Sequence, residues 1–200
     1  MKAKTATAAP SKTQGRPRSD EARRQILEAA YTLLKEKPTN AITAQQIAEE
    51  AGVSTATLYR WWKTKEKVLF EACLERLKTG PLPGKKGSPG ARLHESACNS
   101  AKWMRSESGR VMARIIGGIQ GDEELRRSYL AKFYAPRRQS QRRLVEEAIA
   151  AGELKPGTNP ELLIDALFGP LFFRWINGHA PVDQAFADAV ANAALRMFAR

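Results

Sequence analysis

"ITAQQIAEEAGVSTATLYRWWKTKEKVLF", residues 42–70, decides the fold. Two short helical patterns meet there at one glycine. Thr43 caps the first, "AQQIAEEA", whose inward face is Ile47, Ala48 and Ala51. Gly52 ends it, because glycine takes the left-handed cap conformation at little cost. Ser54 caps the second pattern, "TATLYRWW". Val53 and Leu58 are apolar where the second helix must pack on the first. Ala48 is small where the two would cross most closely. This is the spacing of a helix-turn-helix.

The second helix then turns Leu58 and Trp62 inward and presents Thr55, Ala56, Thr57, Tyr59, Arg60 and Trp61 outward. Those groups suit DNA. Small residues at 55 and 56 let the helix N-terminus approach base edges in the major groove. A threonine offers a hydroxyl to a base or phosphate and a methyl to thymine. Tyr59 and Trp61 combine an apolar body with a polar tip, fit to lie along a sugar-phosphate strand. Arg60 and Lys65 add charge. The helix starts at Thr43 and Ser54 offer free amides to phosphate. Taken singly, the caps can be caps and no more, and Tyr59 could pack on the preceding helix. The combination on one small helical unit is what points to a duplex.

Outward from this unit, the pattern stays helical. Residues 19–37 repeat Ile26, Ala29, Ala30, Leu33 and Leu34 at three and four, with Ser19 as the expected cap and Pro38 as the stop. Thr64 caps "KEKVLFEACLERLK", where Val68, Leu69, Ala72 and Leu77 can pack. Residues 1–18 hold Lys2, Lys4, Lys12, Arg16 and Arg18 and no acid, and read as a disordered basic arm. Arg16 and Arg18, in "GRPR", stand where a tether could enter an A/T-rich minor groove. Residues 79–90, "TGPLPGKKGSPG", read as a loop joining the helix-turn-helix unit of residues 19–78 to a second module, 91–200. Helical segments are expected there at 90–105, 108–120, 122–151 (interrupted near Pro136), 159–178 and 182–199. No alternating apolar run argues for a strand. The expected fold class is all-α.

The chain of 200 residues is 42% hydrophobic and carries a net charge of +12. The first figure suits a folded protein with a real core. The second favours a polyanionic partner, nucleic acid or an anionic membrane. The charges do not gather opposite bulky apolar groups on one helix, which weighs against a membrane-surface helix. No apolar run approaches the about 20 residues that span a bilayer, and the N-terminus lacks a secretion signal's apolar segment, so a cytoplasmic protein is expected. Cys73 and Cys98 stand apart, with no metal-ligand spacing, and His94 and His179 read as isolated surface residues. No metal, cofactor, catalytic residue or glycine-rich phosphate loop is expected, and so no enzyme.

Residues 23–70 resemble the DNA-binding domain of the TetR family of bacterial transcriptional regulators. "RRQILEAAYTLL" and "ITAQQIAEEAGVSTATLYRWWKTKEKVL" carry the resemblance, "GVSTATLYRWWKTKEKVL" most specifically. More loosely, "AIAAGELKPGTNPELLIDALFGPLFFRWING" looks like the regulatory domain of many members. The resemblance implies a homodimer reading successive major grooves of a palindromic operator, usually as a repressor. It implies phosphate or base contacts at Thr43, Gln45, Thr55, Thr57, Tyr59, Trp61 and Lys65. Arg60 stands where other residue types also occur, and Thr55 and Ala56 occupy variable reading positions.

The resemblance also implies that the second module dimerises and binds a small molecule. "PELLIDALFGPLFFRWI" is apolar nearly all round, and the last helix has one apolar stripe. Such a helix needs two surfaces to cover it, its own domain and a symmetry mate, unless it is the buried centre of a monomer. Leu163, Leu171, Phe172, Trp175, Phe186, Val190 and Leu195 are the expected interface. Trp103, Met104, Met112, Ile116, Phe133 and Phe168 could line a cavity for an apolar or aromatic effector. A DNA-binding protein with no effector, or a helical binding module with no DNA role, remains the alternative.

Overall fold

The computed structural model describes residues 16–76 and 84–200, without the side chains of residues 16–19. Among them are ten α-helices and no strand. They are α1 (Arg16–Glu36), α2 (Ala44–Glu50), α3 (Thr55–Trp61), α4 (Lys65–Arg76), α5 (Pro89–Met104), α6 (Glu107–Gly118), α7 (Glu123–Tyr129), α8 (Ala135–Ala150), α9 (Pro160–Asn177) and α10 (Gln184–Phe198). The all-α class expected from the pattern is the class found. No described helix is long and apolar enough to cross a membrane.

α1 starts at Arg16, three residues before the cap expected at Ser19. Pro17 explains how this is tolerated, since the first turn of a helix has unpaired N–H groups anyway. The backbone of Arg16 and Arg18 is therefore helical rather than a tether. Residues 1–15 of the basic arm, the arginine side chains, Leu77 and residues 79–83 of the joining loop lie outside the described residues. α1 buries Ile26, Ala29, Ala30, Leu33 and Leu34 against α2, α4 and α6. Thr39–Ala41 form a single 3-10 turn that delivers buried Ile42 and the Thr43 cap.

The 122–151 pattern resolves into three pieces. Between α7 and α8, residues Leu130–Tyr134 form one π-helical turn. Pro136 follows in the first turn of α8 and has no N–H for the carbonyl four residues back. A widened turn absorbs that missing bond, and such turns recur at functional sites.

Two apolar cores form, and they do not divide where the joining loop falls. One unites α1–α4 with Val111, Met112, Ile115 and Ile116 of α6, Ile119 just after it, Leu125 and Tyr129 of α7, and Phe133 of the π turn. The other joins α5, α8, α9 and α10 around Leu93, Leu144, Leu163, Ile164, Leu167 and Leu171. Trp103 and Trp175 pack against both. The side chain of Arg114 reaches across to donate to the carbonyls of Leu34 and, at 3.5 Å, Lys37 at the end of α1.

Candidate nucleic-acid interface and internal cavity

α2 and α3 meet through a fully bonded turn. Gly52 has φ +65°, and no atom lies within 4 Å of where a Cβ would sit. Its residue type answers to backbone conformation alone. Gly52 N–H donates to the Glu49 carbonyl at 3.1 Å, and Val53 N–H to that of Ala48 at 2.9 Å. These are the paired bonds of a Schellman ending, and they satisfy carbonyls that α2 leaves open. At the other end of α2, Thr43 accepts from Gln46 N–H at 3.1 Å, and the Gln46 side chain accepts from Thr43 N–H at 3.0 Å. Ser54 accepts from Thr57 N–H at 3.2 Å to start α3.

The turn aims α3 outward as its spacing predicts. Leu58 and Trp62 are buried, while Ser54, Thr55, Ala56, Tyr59, Arg60 and Trp61 are exposed. Tyr59 is 51% and Trp61 39% accessible, large for aromatic side chains with no visible partner surface. Thr43 and Gln45 are exposed beside them, Gln45 bonded along the helix to Glu49 at 2.8 Å. Thr57 is half-buried, its hydroxyl 2.9 Å from that of Ser54.

Lys65 behaves differently from the other expected contacts. Its ammonium donates to the carbonyls of Thr39 at 2.9 Å and Ile42 at 2.7 Å. Two of its three protons thus brace the 3-10 turn, not an outer surface. The spacing could not show this, because the acceptors are backbone atoms 23 and 26 positions earlier.

A network behind α3 holds it in place. The Trp62 indole donates to Glu71 at 2.5 Å. Arg23 of α1 bonds the same carboxylate and also Glu75 at 3.0 Å. Its guanidinium lies 5.9 Å from the Trp62 ring centre. Trp62 is therefore a core anchor, and it links the reading helix to α1 and α4.

The second module holds a half-open cavity of about 380 Å³. Trp103, Met104, Phe133 and Phe168 line it as expected. Met112 and Ile116 do not. Both are buried in the core shared with the helix-turn-helix unit, since α6 turns its apolar face towards α1 and α4. The lining also takes Tyr129, Leu130 and Tyr134 from around the π turn, Arg137 and Arg138 from α8, and Ile164, Phe172 and Trp175 from α9. Aromatic spacing marked only part of this wall. "LAKFYAPRR" was a legible signal, with its interruption before Pro136.

The expected dimer residues divide as well. Leu163 and Leu171 are fully buried within the protomer, so neither can meet a second copy directly. Trp175, Phe186, Val190 and Leu195 are half-buried, and Trp175 packs on the cavity. The exposed apolar groups of this region are Leu162, Phe172, Phe173 and Ile176 on α9 and Met197 on α10. A helix apolar nearly all round hides which side its own domain takes.

His94 is not isolated. One turn along α5 it lies 3.7 Å from Cys98 Sγ, which donates to Asp188 of α10 at 3.1 Å. His94 Nε2 is 3.5 Å from the same carboxylate. The three groups answer one another across the α5–α10 contact. Burial, with the Asp188 bond, pushes the Cys98 thiol up to about 11.

Known proteins agree with this architecture at both ends. Residues 26–72 match the family described as bacterial regulatory proteins, tetR family, and residues 83–194 the tetracyclin repressor-like C-terminal domain. The HTH-type transcriptional regulator YdeS of Bacillus subtilis (strain 168), itself uncharacterized, is 39% identical over 185 residues, 90% of this chain and 91% of its own. AqdR of Rhodococcus erythropolis, another HTH-type transcriptional regulator, is 25% identical over 150 residues, 74% of this chain and 70% of its own. The crystal structure of the TetR family regulator SCO0332 superposes with a TM-score of 0.66 at 27% identity, over 90% of this chain and all of that one. A Mesorhizobium loti structure at 21% identity shares the fold with a TM-score of 0.70, over 92% of this chain and 99% of that one. With the exposed α3 braced behind a glycine-turned α2, the chain belongs to the TetR family and is a DNA-binding transcriptional regulator of the helix-turn-helix type.

Proposed function

We propose that this regulator acts as a homodimer on a two-fold symmetric operator, represses transcription there, and is released when a small apolar or aromatic molecule fills the cavity. The observation behind this is the shared core. Tyr129 and Phe133 line the cavity and also belong to the apolar core that holds α1–α4. A ligand that presses on those rings changes packing on which the reading helices rest. Close-packed interiors shift between discrete arrangements rather than yielding smoothly, so a small displacement can move a whole helix. The ligand must bind one arrangement better than the other, and a coupling of about 1–3 kcal/mol is typical.

Exposed Thr43, Gln45, Thr55, Tyr59, Arg60 and Trp61 are the proposed DNA contacts, with the Ser54 start of α3 turned to phosphate. Half-buried Thr57 lies behind them. The proposed dimer face is the exposed apolar side of α9 and α10, with Leu162, Phe173, Ile176 and Met197 at its centre. An isologous contact there gives two reading helices related by a two-fold axis, the symmetry of a palindrome. The cytoplasm, where the chromosome lies, is the proposed place of action.

Selection of bound fragments from genomic DNA, followed by sedimentation of the complex, tests this. The expected result is an inverted repeat bound by two chains. Recovery of no sequence preference, or of one chain per site, would sink it. An operator that no small molecule releases would leave a regulator without an effector.

A further inference from the structure

We propose that the cavity takes an aromatic anion, a planar ring system carrying a carboxylate, with Arg137 as its counter-ion. This rests on the cavity being the effector site and names the class of effector.

The walls set the shape. Trp103 lies 5.8 Å, centre to centre, from both Phe133 and Trp175, Phe172 lies 5.8 Å from Trp175, and Tyr129 stacks on Phe133 at 5.5 Å. Rings arranged at these spacings accept a further ring by offset stacking or edge contact. A volume of about 380 Å³ lies in the range of small-molecule sites.

The polar groups set the charge. Arg137 lines the cavity with its guanidinium 3.6 Å from the Phe133 ring centre, and it donates to the Phe133 carbonyl at 2.6 Å. Its Nε is buried without an acceptor, and so are the indole N–H groups of Trp103 and Trp175. Three unanswered donors thus belong to lining residues, on α5, α8 and α9, and unpaired buried polar groups are ordinarily rare. No ion pair to Arg137 forms among the described residues. The contrast with its neighbour is direct. Arg138 is paired with Glu161 at 2.6 Å and with Asp165 at 2.5 Å. Asp165 is the one carboxylate among the described lining residues, and Arg138 already holds it. Burial accordingly lowers the proton affinity of the Arg137 guanidinium. The Arg137 side chain is half-buried, lines the cavity and has no carboxylate partner among the described residues, so its charge is open to an anion that enters there. A neutral apolar guest would leave the donors as they are. A cation would meet two arginines. A carboxylate answers them with charge-assisted bonds.

The test uses the full-length, untagged protein with 2-naphthoate, the neutral 2-naphthamide and aliphatic octanoate as probes, read by calorimetry and tryptophan fluorescence. At neutral pH, naphthoate is expected to bind at least roughly tenfold tighter than naphthamide, the size of one bond to a charged group. It should also bind tighter than octanoate. In Arg137→Gln the acid should lose that advantage while the amide keeps its affinity. Arg137→Lys should retain part of the preference, and it serves where the glutamine variant folds poorly. Equal binding of acid and amide by the parent protein, binding of neither, a preference for octanoate, or a preference that survives Arg137→Gln each overturns the proposal. Operator release is measured separately by gel shift. Naphthoate binding that leaves operator affinity unchanged removes the effector role and keeps the anion site. Release by neutral compounds alone keeps the regulator and removes the anion site.

Discussion

Lys65→Met separates two roles that a lysine at the start of α4 could play. Methionine keeps most of the stem and removes the ammonium. The loss is two hydrogen bonds from a charged donor, to Thr39 O and Ile42 O. Each such bond contributes about 1.5–3 kcal/mol. The side chain is 26% exposed, so solvent reduces the loss to the lower end of that range or just below it. A total of about 2–3 kcal/mol follows. For a chain of this size each kcal/mol moves the melting temperature by about 2–4 °C, so a fall of about 4–12 °C is expected in a thermal melt. The nearby Glu66 carboxylate, 3.6 Å from the ammonium, adds little at the surface. Operator affinity should fall only as far as the 3-10 turn loosens. Its salt dependence should hold, because a lost phosphate contact would lower the log–log slope by about 0.9. An unchanged melting temperature together with a slope reduced by that amount would refute the brace and make Lys65 a phosphate contact.

Tyr59→Ala should leave stability within about 0.5 kcal/mol, the side chain being half exposed, and weaken operator binding several-fold in a gel shift; equal affinity of variant and parent removes Tyr59 from the interface. Gly52→Ala meets no steric obstacle, so its cost should be the left-handed backbone alone, about 1–2 kcal/mol in a denaturant titration, and a neutral result would show that the turn relaxes. Phe173→Asp, on the most exposed aromatic side chain of α9, should give monomers in sedimentation, and intact dimers would move the interface elsewhere. Arg114→Gln should lower the temperature at which the helix-turn-helix unit melts by several degrees, because the α1 carbonyls lose a charged donor, whereas Glu124→Gln should change little.

The helix-turn-helix was legible because its signals are local. Caps, a positive-φ glycine and a three-four apolar repeat all act within one or two turns, so Thr43, Gly52, Ser54, Leu58 and Trp62 could be placed from spacing. The second module was legible only as helices. α9 is apolar nearly all round, and periodicity cannot say which side meets its own protomer. That is why periodicity groups Leu163 and Leu171, which are core, with exposed Phe172. Met112 and Ile116 stand on α6, which gives the cavity no lining residue, because α6 serves a different core from the one its position after the joining loop suggests. Lys65 and Arg114 were beyond reach for a plainer reason. Their partners are main-chain carbonyls, which carry no residue identity. The His94–Cys98–Asp188 cluster spans two helices 90 residues apart, and only its α5 half has a spacing to read.

Magnitudes decide which contact can carry a signal from the cavity to the DNA. Lys67 and Glu124 form an ion pair at 2.7 Å between α4 and the start of α7, but Glu124 is 71% exposed. A pair of that kind contributes at most about 1 kcal/mol and weakens with salt. It cannot by itself hold two global arrangements apart. The α6 contact is different in kind. A Cβ at Gly118 would stand 2.6 Å from the Thr39 hydroxyl, so the end of α6 already touches the 3-10 turn with no slack. Behind it, Val111, Ile115 and Ile119 are buried against the same core as Ile26 and Leu69, where each displaced side chain is worth about 1.5–3 kcal/mol. One such side chain matches the whole coupling a regulator needs. A signal from the proposed effector site would therefore move α6 as a rigid body with α1 and the 3-10 turn, and the turn leads directly into Thr43 and α2. On the proposed function, the reading helix is repositioned by packing, with the surface charges following.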